Sequence, residues 1–322
     1  MGKPHFERRW HLSPRLSPSR WLNNSRVRIC VIFNPTAKGE KARRLRHHLD
    51  DFGSQCMLRL TAAPADARYL AAAAVREGFE TVVAAGGDGT LNEVLNGIGD
   101  APDGFERTRL GLLPLGTVNV FARELGIPAD LKLAWAAIRQ GNEIRIDLPK
   151  VDYEADHHPK CRYFAQLAGA GLDARAIELV SWQLKKRIGP LAYVLAGLRA
   201  LLGTQSKIST VGGHDSPTGE LVLIGNGRLY GGRFPIFPKA DLCDGLLEVC
   251  VFPRVNWLTL ARCTPGLLLG RALPASLTRV FRSESFTLTS PSPTPLETDG
   301  ELIGHLPAKF SLQRSRLRVV VP

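Results

Sequence analysis

The chain has 322 residues, enough for two ordinary domains, and its 44% hydrophobic and 22% charged content is that of a globular protein. This composition excludes a wholly disordered chain, and the longest apolar stretch, residues 191–202, is too short to span a bilayer and is interrupted by Arg199. Lysine and arginine outnumber aspartate and glutamate by 42 to 30, and this excess of +12 favours anionic partners such as nucleotides, acidic membranes or nucleic acids.

Residues 1–26 form a basic arm that the sequence predicts to be disordered, because it is rich in arginine, proline and serine and has one acid, Glu7. Two roles stay open for it, a solvated tail or a contact with anionic lipid. The six cysteines show no C-x-x-C spacing, so we expect reduced thiols and no zinc site. With no secretory pattern visible, the expected location is cytoplasmic.

The first part of the chain alternates apolar strands with amphipathic helices, a rhythm typical of a parallel sheet covered on both faces. The predicted strands are residues 27–33, 56–60, 81–85 and 110–113. The predicted helices are residues 38–52, 65–77, 90–98 and 128–139.

Beyond residue 145 strands dominate, which predicts a second, mainly antiparallel domain. The predicted strands are residues 163–167, 207–211, 220–224, 246–252, 285–289, 309–312 and 317–321, with helical stretches at 173–202 and 257–270. The predicted fold class is therefore α/β plus β, with a border near Asp147. We expect domains at 27–147 and 148–312, with residues 313–322 returning to the first.

Three polar loops follow strands of the first domain. Gly86-Gly87-Asp88-Gly89-Thr90-Leu91-Asn92 joins a strand to a helix, and its glycines let phosphate oxygens approach the backbone N–H groups. It lacks the lysine and spacing of a Walker A loop. Residues 114–123 and residues 34–39 (Asn-Pro-Thr-Ala-Lys-Gly) follow two other strands. Because ligands of such sheets collect at the carboxyl ends of the strands, the three loops should face one crevice.

Taken together and in this order, the three loops resemble the diacylglycerol kinase catalytic-domain superfamily, which includes bacterial lipid kinases and sphingosine kinases. The likeness continues in residues 168–174 (Ala-Gly-Ala-Gly-Leu-Asp-Ala), 225–226, 231–232, 238–247 and 299–301 (Asp-Gly-Glu). It covers nearly everything but the basic arm. The resemblance implies a nucleotide-binding α/β domain, a β-sandwich domain, and ATP-dependent phosphorylation of a lipid alcohol in the cleft between them, as in phospholipid biosynthesis.

The resemblance also implies residue roles. The predicted ATP-binding residues are Asn34, Thr61, Gly86, Gly87, Asp88, Gly89, Thr90, Leu91, Asn92, Gly116, Thr117 and Asn119. A Mg²⁺ site would use Asp241, Asp244 and the backbone of Leu246. The Asp-Gly-Glu motif would supply the base, with Glu301 preferred over Asp299, although Asp-Gly is also a common hairpin turn. Independent of the family, phosphoryl transfer needs charge neutralisation, positioning and a proton acceptor.

One position departs from the family pattern, because relatives commonly carry aspartate where this chain has Val120. In those proteins the aspartate belongs to an acidic network linked to metal and active site. We interpret Val120 as a subfamily variant that leaves the work to Asp88, Asp241 and Asp244 or weakens metal dependence.

The expected partners are a lipid substrate and, peripherally, the anionic inner membrane surface. Residues 177–202, with Trp182 and a cluster of basic residues, fit either a membrane-facing helix or an ordinary packed helix pair. Edge strands leave a homodimer open, and no pattern supports nucleic-acid binding. Two alternative functions remain: an NAD-kinase-like kinase of a soluble acceptor, and a non-catalytic nucleotide- or lipid-binding regulator.

Overall fold

The computed structural model describes residues 28–35, 56–179, 191–212, 216–268 and 273–322. The predicted arm, the predicted helix at 38–52 and the basic part of the 177–202 segment lie outside these ranges. Within the described chain, no helix combines the length and the apolar character needed to cross a membrane.

The N-terminal half is a parallel sheet with helices on both faces. Its strands pair in the order β4–β3–β1–β2 and are β1 (Ile29–Phe33), β2 (Met57–Leu60), β3 (Thr81–Gly86) and β4 (Arg109–Pro114). The helices described in this half are α1 (Asp66–Arg76), α2 (Asp88–Gly99), α3 (Gly104–Arg107), α4 (Val120–Glu124) and α5 (Leu131–Gln140).

The burial pattern of the strands explains this layering. Alternate residues of a strand point to opposite faces, so Cys30 and Ile32 pack with α1 and α2, whereas Val31 and Phe33 pack with Trp135 of α5. All five residues of β1 are buried, as expected for a central strand of a parallel sheet.

The C-terminal half is built mainly from antiparallel strands. They are β5 (Glu143–Ala155), β6 (His158–Tyr163), β7 (Leu167–Gly171), β8 (Ile208–Val211), β9 (Thr218–Gly219), β10 (Leu221–Gly225), β11 (Leu247–Phe252), β12 (Arg279–Ser283), β13 (Ser285–Thr289), β14 (Pro295–Thr298) and β15 (Glu301–Val320). The helices described here are α6 (Leu172–Leu179), α7 (Leu191–Ala200) and α8 (Trp257–Leu268), and they cover one face of β10 and β11.

The 20-residue strand β15 joins the two halves into one continuous sheet. Its start pairs with β14, its middle with β13 and β5, and Val319 pairs in parallel with Leu110 of β4. Leu317 and Val319 are fully buried in the core of the N-terminal half. The last strand of the chain, β15, is thus an inner strand of the sheet, next to β4 of the N-terminal half.

Two expectations about elements need correction. The predicted strand at 163–167 is instead the break between β6 and β7, because the N–H groups of Ala165, Gln166 and Leu167 donate to Asp299 rather than to a neighbouring strand. The two predicted final strands are one strand, β15, with a register shift between Gln313 and Leu317. Strand β5 runs through Asp147 without interruption, so the border predicted there stays a prediction.

We expect Leu317→Ala to destabilise the whole protein by about 2–5 kcal/mol, because it opens a cavity between the returning strand and the N-terminal helices. Chemical denaturation should show one transition at lower denaturant concentration. Leu302→Ala, on the same strand but 41% exposed, is the control and should change little. Two separate transitions, with only one of them shifted, would contradict the shared core.

Candidate active site

The glycine loops after β3 and β4 lie in direct backbone contact. Leu115 and Gly116 both donate their N–H groups to the carbonyl of Gly86, at 2.9 and 3.2 Å. A Cβ atom on Gly116 would lie 2.6 Å from the Cα atom of Gly87, so a side chain at Gly116 would force the loops apart. The sequence predicted that these two loops and residues 34–39 face one crevice. The contact brings the first two loops together, and residues 36–39 lie outside the described residues.

Asp88 joins the second loop to the start of α2. Its Oδ1 accepts the N–H of Val120 at 2.8 Å, and burial, helped by the nearby charge of Asp299, raises the pKa of its carboxyl. Val120 therefore binds Asp88 through its backbone N–H, although the valine side chain cannot form a hydrogen bond. Asn119 closes the same loop, because its amide bonds both the N–H and the carbonyl of Gly116, at 3.0 and 2.7 Å.

Asp299 is the best-bonded carboxylate of the site. Its two oxygens accept four hydrogen bonds at 2.8–3.1 Å, from the side chain of Asn92 and from the backbone of Ala165, Gln166 and Leu167. It occupies a left-handed turn between β14 and β15, with φ of 49°. The hairpin interpretation of Asp-Gly thus applies. With its lone pairs engaged by these four donors, Asp299 fixes the turn.

Glu301 faces the glycine loop after β3. A Cβ atom on Gly89 would lie 2.9 Å from its Oε1, so the carboxylate rests against the first turn of α2. Its Oε2 forms an ion pair with Arg162. Burial raises the pKa of Glu301, and the charge of Arg162 opposes that rise. A basic carboxylate beside a helix start is the arrangement that proton abstraction next to bound phosphates requires.

Arg162 is a site residue that the sequence analysis missed. Its guanidinium donates to the side-chain oxygen of Asn92 at 3.0 and 2.7 Å as well as pairing with Glu301. It projects from the edge strand β6, whose pattern His-Pro-Lys-Cys-Arg-Tyr carries no local signal of function. Only the pairing of that strand with β5 brings it to the site.

The remaining predicted nucleotide residues divide into two groups. Asn34 and Thr61 follow β1 and β2, their backbone N–H groups donating to Ala85 and Phe33, and so lie at the same sheet edge as Gly86. Thr117 is exposed on its loop, whereas Thr90 is buried in α2. Leu91 packs into the hydrophobic core and donates its N–H to Gly87.

The predicted magnesium residues lie in a different loop, where both carboxylates already have partners. Asp241 accepts the N–H of Cys243 and Asp244 that of Leu246, each at 2.9 Å, and the second oxygen of Asp244 pairs with Arg282. No hydrogen bond among described residues links this loop to Asp88, Asp299 or Glu301. Because Arg282 already neutralises Asp244, these residues do not fit the cation site that the resemblance implied.

No cluster of three or more metal-ligating side chains occurs in the described part of the chain. Mg²⁺ does not require one, since it is commonly held by one or two carboxylates together with substrate phosphates.

A buried acid pair lies behind the Asp-Gly-Glu turn. A Cβ atom on Gly169 would lie 2.5 Å from Asp173 Oδ2 and 2.9 Å from Glu297 Oε1, so both carboxyls face the same backbone atom. Tyr230 donates to Asp173, and Glu297 accepts the N–H of Gly300 at 2.8 Å. Burial raises the pKa of both acids, most strongly that of Glu297. The buried surroundings therefore disfavour the ionised form of both carboxyls.

Each half of the chain matches a known domain family. Residues 28–151 match the diacylglycerol kinase catalytic domain, and residues 166–321 match the YegS C-terminal NAD kinase beta sandwich-like domain. A diacylglycerol kinase of Staphylococcus carnosus is 29% identical over 305 residues, covering 92% of this chain and 96% of that protein. A diacylglycerol kinase of Staphylococcus saprophyticus is 30% identical over 304 residues, with the same coverage.

A crystal structure of a diacylglycerol kinase from Bacillus anthracis superposes with a TM-score of 0.71, at 22% identity, covering 93% of this chain and 98% of that one. This match confirms the predicted fold class, an α/β domain followed by a β-sandwich. The fold and the paired glycine loops define a two-domain kinase. The chain belongs to the diacylglycerol kinase family, as its sequence predicted, and is an enzyme of the lipid kinase class.

We expect Arg162→Gln to move the acid limb of the pH–rate profile to higher pH. Arg162 stabilises the ionised form of Glu301, and the base works only when ionised, so its removal raises the pH needed for activity. The measurement is kcat/KM against pH. Arg162→Lys, which keeps the charge, should shift the limb less. An unchanged acid limb in Arg162→Gln would separate Arg162 from the base.

We expect Mg²⁺ removal by a chelator to leave the Tm of the wild-type protein unchanged, because Arg282 already provides the cation for Asp244. Arg282→Gln should lower Tm by roughly 1–2 °C, the effect of a partly exposed ion pair. Millimolar Mg²⁺ should then restore part of that loss. Exposed Arg262→Gln is the control. A wild-type Tm that falls on chelation would reinstate the metal site at Asp241 and Asp244.

Proposed function

We propose that the protein transfers the γ-phosphoryl group of Mg-ATP to the hydroxyl group of a lipid alcohol such as diacylglycerol. The observation that carries this proposal is the position of Glu301. Its carboxylate lies against Gly89 of the glycine loop after β3, and burial raises its pKa. The names of the relatives support a lipid acceptor, since both staphylococcal proteins are diacylglycerol kinases.

The donor nucleotide would lie across the carboxyl ends of β1, β3 and β4. There the amides at the start of α2 and the two glycine loops offer N–H groups and positive helix potential to phosphates. Mg²⁺ bound with ATP supplies charge neutralisation of the phosphates. Asp88 and Asn119 act indirectly, because their side chains hold the second loop in position.

The acceptor hydroxyl would enter from the side of the β-sandwich. Its proton passes to Glu301, its oxygen forms the new bond to the γ-phosphorus, and the bond to the bridging oxygen of ADP breaks. Arg162 keeps Glu301 ionised until the proton arrives. Asp299 holds the turn that positions Glu301, and the N–H of Gly300 in that turn is fixed by Glu297.

The cleft has walls from both halves of the molecule. A Cβ atom on Gly232 of the second half would lie 2.9 Å from Val118 of the Gly-Thr loop. A diacylglycerol-type acceptor resides in a bilayer, so the proposal includes peripheral contact with the anionic inner membrane surface. A homodimer through an edge strand such as β2 or β12 belongs to the same proposal.

One observation favours a second candidate, an NAD-kinase-like enzyme of a soluble acceptor. The model matched by residues 166–321 is described as NAD kinase beta sandwich-like. The two candidates differ in where labelled phosphate appears after incubation with γ-labelled ATP, in an organic-extractable or in a water-soluble product.

We expect labelled phosphate to enter a lipid when the protein is incubated with Mg-ATP and a whole-lipid extract. Glu301→Gln should lower kcat at least ~100-fold, as loss of a general base does, while the KM for ATP stays near that of the wild type. Glu284→Gln, an exposed carboxylate with an ion pair to Arg314, is the matched control and should retain activity.

Asp299→Asn should behave differently from Glu301→Gln, because an amide cannot accept all four hydrogen bonds, and Tm should fall together with activity. Full activity in Glu301→Gln would remove the proposed base. A labelled water-soluble product without labelled lipid would favour the soluble-acceptor kinase. ATP binding without any labelled product would favour the regulator.

A further inference from the structure

A basic groove lies beside the start of α8, away from the candidate active site. It consists of two adjoining cavities of about 390 and 350 Å³ that share Thr218 and Pro253 as lining residues. Lys207 and Arg254 line the first cavity and Arg279 lines the second. None of the described residues that line either cavity is an aspartate or a glutamate. We call this surface the α8 groove.

The cations of the α8 groove are available to a ligand to different degrees. Arg254 is exposed, and its side chain forms no hydrogen bond or ion pair with another described residue. Lys207 is paired with Glu220 at 3.1 Å, yet its side chain stays 52% exposed. Arg279 donates only to backbone carbonyls, those of Ala275 and Thr278. The net positive charge of the groove is thus only partly compensated.

Two large apolar side chains flank the α8 groove. Trp257 and Leu258 are consecutive residues in the first turn of α8, 54% and 61% exposed, and Leu258 also lines the first cavity. Both side chains are largely exposed, whereas Thr259 and Cys263 of the same helix are buried. An exposed tryptophan and leucine beside uncompensated cations is the combination that favours a membrane–water interface.

We propose that the α8 groove docks the protein on an anionic bilayer, with Trp257 and Leu258 inserted at the interface and a lipid phosphate held by Arg254, Lys207 and Arg279. Charge selects this occupant, since the groove is basic and the whole chain carries an excess of +12. The inference rests on the proposed function for its purpose, because a bilayer also holds the acceptor.

The helices connect this surface to the cleft. α6, α7 and α8 share one hydrophobic cluster with Tyr230 and Phe234. Between those two residues lies Gly232, which approaches Val118 of the Gly-Thr loop. Docking through α8 would therefore place the bilayer against the helical layer that packs on the segment around Gly232.

The test is co-sedimentation of the full chain with phosphatidylglycerol–phosphatidylcholine vesicles and with phosphatidylcholine vesicles. We expect Arg254→Gln to weaken partitioning onto the anionic vesicles about fivefold, the effect of one cation near a charged surface. Leu258→Ser should weaken it by a similar or larger factor. The matched controls are Leu133→Ser, whose leucine is also 61% exposed, and Arg139→Gln on α5, and both should partition like the wild type.

Equal partitioning of Leu258→Ser, Arg254→Gln and the wild type would overturn the proposal. So would equal binding of the wild type to phosphatidylcholine and to phosphatidylglycerol–phosphatidylcholine vesicles, because the groove would then not select an anionic bilayer. Activity on detergent-dispersed diacylglycerol is measured separately and should be unchanged in both variants. If no variant, nor the wild type, phosphorylates any lipid while the partitioning differences remain, the docking surface stands and the proposed kinase function fails.

Discussion

The structure depends on one carboxylate, that of Asp299, whose four hydrogen bonds join segments that are distant in the sequence. One donor is the side chain of Asn92 in the N-terminal half, and the other three are backbone N–H groups just before β7 and at its first residue. Because a buried N–H without an acceptor is costly, these donors fix the turn between β14 and β15. The next residue but one is Glu301, so its position is set by contacts that Glu301 itself does not make.

This arrangement separates two tasks that one carboxylate could not perform together. The two oxygens of Asp299 are engaged by four hydrogen bonds that fix the turn. Glu301 has one strong partner, Arg162, and burial raises its pKa. The glycine loops follow the same division. The side chains of Asp88 and Asn119 hold the second loop in position. In the proposed function, the loop amides then bind phosphate.

The sequence predicted what depends on local patterns. The sequence predicted a strand at 81–85 followed by a glycine loop, and β3 and its loop lie there. The prediction of a strand at 285–289 was correct to the residue. It was wrong at 163–167 because those N–H groups bond to Asp299, more than 130 positions away. Arg162 and the pairing of Asp244 with Arg282 depend on equally remote contacts, which periodicity and spacing do not report.

The path of β15 has a consequence for how the protein folds as it is synthesised. N-terminal domains commonly fold first, while later segments are still being translated. Here β4 has no β15 beside it in the sheet until Leu317 and Val319 have left the ribosome. The nascent N-terminal half would expose the edge of β4 and an apolar face throughout that interval. Chaperone demand should therefore be set by the time needed to translate the second half, rather than by the stability of the finished sheet.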